Sequence, residues 1–83
     1  MKTIVYTHQA ARDLDGLEPA TRKIVETAFD LYAREGRGDI KRLSGRDGFR
    51  LRVGQYRILF AEDATTILAV YIGRRATTTY RRQ

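Results

Sequence analysis

Phe49-Arg50-Leu51-Arg52-Val53-Gly54-Gln55-Tyr56-Arg57-Ile58-Leu59-Phe60 is the stretch around which the rest of the chain is organised. Phe49, Leu51 and Val53 alternate with Arg50 and Arg52, the period-two pattern of a half-buried strand. Beyond a turn at Val53-Gly54-Gln55, Tyr56, Ile58 and Phe60 alternate with Arg57, Leu59 and Ala61. Two short strands therefore carry apolar side chains on one face and guanidinium groups on the other. Arginines fixed in this way grip phosphate oxygens, so the face has the chemistry of a phosphate-binding platform.

Upstream of it, Lys2 to Tyr6 is β-prone and reads as a first strand. Thr7 is a good N-cap for a short helix through about Leu14, which Asp15-Gly16 ends. Pro19 suits the first turn of a second helix. Ile24, Val25, Ala28, Leu31 and Tyr32 give that helix an apolar stripe, with Arg22, Lys23, Glu26, Asp30 and Arg34 on a solvated face. Glu35-Gly36-Arg37-Gly38 ends it, and Asp39 to Asp47 reads as a connector anchored by Ile40 and Leu43. Downstream, Glu62-Asp63-Ala64-Thr65 is a hairpin turn and Thr66 to Ile72 a β-branched strand, which Gly73 breaks. The expected fold is α+β, in the order β-α-α-β-β-β: a helical hairpin packed on an antiparallel sheet, in a single domain over residues 1–83.

Composition narrows the function. At 83 residues the core is modest, with roughly 60–65% of the unfolded surface buried. The absence of cysteine excludes a disulfide framework and a thiolate metal site. No apolar run approaches a membrane span, and Met1 to Thr7 is too short and polar for a signal peptide, so the expected compartment is the cytoplasm. Residues 1–40 carry six Lys/Arg and seven Asp/Glu, whereas residues 41–83 carry ten and three. The basic charge is thus confined to the second half, as expected of a localised polyanion-binding surface.

Other chemistry finds little support. His8 is the only histidine and has no carboxylates at ligand spacing, so no metal or cofactor is expected. Ser44 lies in a Leu-Ser-Gly turn, the glycines form no phosphate loop, and Glu62-Asp63 belongs to a turn. What remains is Arg50 and Arg52 on one strand, Arg57 across the hairpin, and Arg74, Arg75 and Tyr80 beyond the last strand. Guanidinium forks and a stackable phenol suffice to bind a single-stranded RNA backbone. The same residues also fit a set of solvated charges with Tyr80 as a tail-anchoring aromatic, and the residues alone leave both readings open.

Across its length the sequence resembles the RelE/ParE superfamily of toxin–antitoxin toxins. The resemblance rests on the N-terminal strand, the Thr7–Leu17 segment THQAARDLDGL, Pro19 with its amphipathic helix, and Lys41-Arg42-Leu43-Ser44-Gly45. It rests further on Phe49 to Phe60 and on Ile72-Gly73-Arg74-Arg75 followed by Tyr80. The RelE-like branch is favoured, which implies a ribosome-dependent mRNA endoribonuclease that cleaves by 2′-hydroxyl attack on the scissile phosphate. The resemblance assigns catalysis to Arg50, Arg52, Arg57, Arg75 (or Arg74) and Tyr80; the basic residues Lys41, Arg42, Arg46, Arg74, Arg81 and Arg82 are the expected RNA contacts. Arg52 stands where a lysine could accept a proton; arginine does not readily deprotonate, so catalysis would lean on charge stabilisation. The implied partners are a RelB-like antitoxin, acidic and partly disordered when free, and mRNA in the ribosomal A site. The toxin–antitoxin hetero-oligomer would bind operator DNA. The alternatives are a ParE-like gyrase inhibitor without nuclease activity and an inactive antitoxin-binding module.

Overall fold

A computed structural model describes residues 1–75. Strand β1 (Thr3–Tyr6) leads into helix α1 (His8–Asp15) and helix α2 (Pro19–Glu35). Strands β2 (Asp39–Arg42), β3 (Phe49–Val53), β4 (Tyr56–Glu62) and β5 (Thr66–Arg74) follow. The sheet order is β1-β5-β4-β3-β2. β2 to β5 form an antiparallel meander, and β1 adds one parallel pairing with β5. Both helices lie on one face, the two-layer α+β arrangement expected from the sequence.

Local chemistry explains the elements. The Thr7 side chain caps α1 by accepting from the Ala10 amide at 3.1 Å. Pro19 occupies the first turn of α2, and Gly36, with φ 71°, closes it in the left-handed conformation. The β3–β4 turn has positive φ at Gly54 (60°) and at no non-glycine residue, the pattern of a type II′ hairpin.

The core forms between α2 and the sheet. Val25, Phe29 and Ala33 are its α2 face, and they meet Leu51, Ile58, Phe60, Ile67, Ala69 and Ile72. Phe29 meets Phe60 edge-on at 5.8 Å, and Phe60 stacks with Phe49 at 5.6 Å. The inward stripe is therefore centred on Phe29, not on Ile24, which is 61% exposed. Glu62 ties three elements together: it accepts from the Tyr32 hydroxyl at 2.9 Å and pairs with Lys2 at 3.1 Å.

Two departures from the sequence reading shape the functional face. Residues Asp39–Arg42 form an edge strand instead of a connector, paired Asp39↔Arg52 and Lys41↔Arg50. Gly73 does not end the last strand, which runs to Arg74. Within it the register jumps from Leu59↔Tyr71 to Phe60↔Ala69, leaving Val70 as a bulge. The bulge reverses the alternation: Ile67 and Ala69 point inward before it and Ile72 after it. α1 secures the irregular segment, because Thr7 Oγ1 donates to the Val70 carbonyl at 3.2 Å and Asp13 Oδ2 accepts from the Ile72 amide at 3.0 Å.

Candidate functional site

The face of the sheet turned away from the helices carries the arginines. Leu51 is buried against α2, so Arg50 and Arg52 on either side of it point to the open face. The type II′ turn fixes the register of the next strand and sets Arg57 opposite Arg52. Lys41 sits opposite Arg50, and Asp39 opposite Arg52. The sequence reading brought Arg50, Arg52 and Arg57 together; the edge strand adds Lys41 and Asp39.

The three arginines differ in their surroundings. Arg52 Nε donates to Asp39 Oδ2 at 3.0 Å. Arg50 Nη1 lies 3.6 Å from Asp39 Oδ1 and donates to the Asp39 backbone carbonyl at 3.3 Å. The Arg52 hydrogen bond, helped by the charges of Arg52 and Arg50, holds the Asp39 carboxyl below the usual range. Arg57 has no carboxylate partner among the described residues, and its Nε is buried without a hydrogen-bond partner there.

Tyr71 completes this centre. The bulge at Val70 brings it to the open face, where the residue is 36% exposed. The ring lies over Gly73, and a Cβ at that glycine would fall 2.2 Å from the Tyr71 hydroxyl. Gly73 is the register partner of Arg57, so the phenol and the Arg57 guanidinium border the same spot.

The other candidates among the described residues do not gather here. Arg74 pairs in register with Tyr56 on the helix-side face, lies 5.5 Å over that ring and donates to Gln55 at 3.0 Å. Arg75 clasps the β3–β4 turn, donating its amide to the Gln55 carbonyl at 2.8 Å and Nη1 to the Gly54 carbonyl at 3.0 Å. Arg42 lies over Phe49 at 5.5 Å on the helix side, and Arg46 is exposed in the β2–β3 loop. Tyr80, Arg81 and Arg82 lie outside the described residues. A cleft of about 510 Å³ between the α1–α2 turn and the β3–β4 turn contains Arg74 but none of the open-face arginines. The arginine site is thus an open strip on the sheet, a shape suited to an extended polymer. Among the described residues no three His, Cys, Asp or Glu side chains gather as metal ligands, and no helix is long and apolar enough to cross a membrane.

The fold matches solved toxin–antitoxin proteins. The chain is 33% identical to a chain of the toxin–antitoxin complex RelBE2 from Mycobacterium tuberculosis, over 89% of this chain and 98% of that one, with a TM-score of 0.71. The chain belongs to the RelE family of toxin–antitoxin toxins. The same fold recurs in the RelE–RelB complex of Pyrococcus horikoshii, at 20% identity over 90% of this chain and 96% of that one, with a TM-score of 0.75. It also recurs in the YoeB dimer of Staphylococcus aureus, at 18% identity over 90% and 98%, with a TM-score of 0.73. No family model matches the chain, and no curated protein does. The sequence resemblance points to this RelE family and to its RelE-like branch.

Sequence reasoning missed Asp39 and Tyr71 as members of the face. For Asp39 the available signal was Asp-Ile-Lys-Arg just ahead of a strand, with Ile40 as its one inward side chain. For Tyr71 there was none, since unbroken alternation from Ile67 and Ala69 turns it inward.

Proposed function

We propose that this RelE-family toxin is a ribosome-dependent endoribonuclease, cleaving mRNA in the ribosomal A site at the open arginine face. The observation that carries the reading is the Arg52–Arg57 register pair, with Arg50 beside it and Arg57 left unpaired among the described residues. A ribose 2′-oxygen attacks the adjacent phosphorus in line, the bond to the 5′-oxygen breaks, and a 2′,3′-cyclic phosphate forms. Negative charge grows on the nonbridging oxygens, where preorganised guanidinium groups stabilise it. Arg57 is the residue assigned to those oxygens. Arg50, Arg52 and Lys41 hold the flanking backbone, and Tyr71 offers a ring against which a base stacks, orienting the 2′-hydroxyl. Arg75 and Tyr80 are further candidates supplied by the family resemblance.

The face holds no efficient base. Arginine keeps its proton, and Asp39, lowered by Arg52, is a weak acceptor. The 2′-hydroxyl proton therefore passes to water or to a ribosomal group, and the departing 5′-oxygen takes up a proton from the same sources to leave as a hydroxyl. The same observation favours a second reading, in which the face binds without turnover, as in a ParE-like gyrase inhibitor or an inactive antitoxin-binding module. Mapping mRNA 5′ ends in a translating extract separates them. Cuts within A-site codons that vanish with Arg57→Ala support the nuclease; intact mRNA with trapped gyrase–DNA complexes contradicts it.

A RelB-like antitoxin is the proposed partner, since the solved relatives include toxin–antitoxin complexes. An acidic segment that folds on binding suits a face lined by Lys41, Arg50, Arg52 and Arg57. The complex would bind operator DNA, and the compartment would be the cytoplasm. Co-purification with a small acidic protein encoded alongside tests the pairing.

A further inference from the structure

We propose that Asp39 is a positioning residue that occupies the Arg50–Arg52 pair as a phosphate would, setting both the geometry and the anion affinity of the open face. Its carboxylate is divided between two guanidinium groups, at 3.0 Å from Arg52 Nε and 3.6 Å from Arg50 Nη1. The backbone joins in, because the same Arg50 Nη1 donates to the Asp39 carbonyl at 3.3 Å. Guanidinium groups hold carboxylate and phosphate through the same planar forks, so the two anions compete for this place. The register between β2 and β3 builds the clamp, placing Asp39 across from Arg52. The Asp39 side chain is 54% exposed and that of Arg50 only 18%, so an incoming anion meets the carboxylate before it meets Arg50.

Two effects follow from one group. Neighbouring guanidinium groups repel each other, and the carboxylate between them fixes their planes. It also cancels one of the positive charges a polyanion would meet. Asp39 therefore exchanges affinity for order: a clamped arginine pair lies beside Arg57, which has no carboxylate partner among the described residues.

Binding of a fluorescent 2′-O-methyl oligouridylate to the full chain reads the affinity without cleavage. Asp39→Asn is expected to bind roughly three- to ten-fold tighter than wild type, with the slope of log affinity against log salt steeper by about 0.7, one further phosphate's worth. Asp30→Asn makes the same charge change at an exposed position of α2 and is expected to gain less than about two-fold. Asp39→Glu, which keeps the charge, is expected to stay within about two-fold of wild type. Asp39→Ser repeats the comparison should the asparagine variant unfold. An Asp39→Asn gain no larger than that of Asp30→Asn overturns the proposal. The cleavage arm rests on the nuclease reading: Asp39→Asn is expected to lower the single-turnover rate at saturation while binding more tightly, and an unchanged rate overturns the positioning role. If wild type cuts no RNA, the nuclease reading fails, while the binding comparison still decides whether Asp39 holds the arginines in place of a phosphate.

Discussion

Tyr71 lies along its own strand over Gly73, so closely that a Cβ on residue 73 would sit 2.2 Å from the phenolic oxygen and 2.6 Å from the ring carbon that bears it. Glycine at this place is a space requirement, not a turn signal, because the strand continues through it to Arg74. The bulge at Val70 re-aims Tyr71 to the open face, and Gly73 lets the ring lie down beside Arg57.

Gly73→Ala should therefore displace Tyr71 without unfolding the protein. The colliding atoms are the far end of a side chain that can rotate outward, so a stability change within about 1 kcal/mol is expected by urea denaturation. Cleavage on programmed ribosomes should fall to the level of Tyr71→Ala. Wild-type cleavage by both variants would remove Tyr71 from the site.

The core is centred on Phe29, which is fully buried and meets both Tyr6 and Phe60 edge-on. Phe29→Ala should cost about 3–5 kcal/mol, a large part of the stability of a small domain. Ile24→Ala, five residues away on the same helix but 61% exposed, should change stability by less than about 0.5 kcal/mol by urea denaturation. Equal losses for the two variants would contradict the packing.

Burial, with the hydrogen bond and charge of Glu62, pushes the Tyr32 phenol up from 10.0 to about 12. Below pH 10 it is protonated in both folded and unfolded chains, and its contribution to stability is fully present. Between pH 10 and about 12 the unfolded chain loses the proton first, so stability should fall as pH rises through that window. Urea midpoints across it should decline less steeply for Tyr32→Phe than for wild type. Identical slopes would contradict the raised value.

Much of this face was legible from alternation. Arg50 and Arg52 flank Leu51, and the short turn at Gly54 brings Arg57 across from them, so local pattern sufficed to unite the three. Long-range pairing was not legible. Asp39 to Arg42 presents one inward apolar residue among three charges, typical of a protected edge strand and indistinguishable in sequence from a polar connector. The clamp on Arg50 and Arg52 depends on that pairing. The bulge was equally hidden, because Val70 is β-prone and nothing local marks it. Its consequence is large: it sends Arg74 to the helix side and Tyr71 to the arginines, the reverse of what unbroken alternation gives. The role of Tyr80 rests on the family resemblance, as that residue lies outside those described.

The most direct test of the arginine face as a nuclease site is single-turnover cleavage on ribosomes programmed with an A-site codon, comparing wild type with Arg57→Ala and a ribose with a 2′-deoxyribose at the cut position. Arg57→Ala, folded as judged by its urea midpoint, should cut about 10²–10³-fold more slowly, the loss typical of removing one transition-state donor, and the deoxy substrate should not be cut at all. Undiminished cleavage by Arg57→Ala, or cleavage of the deoxy substrate, would contradict it.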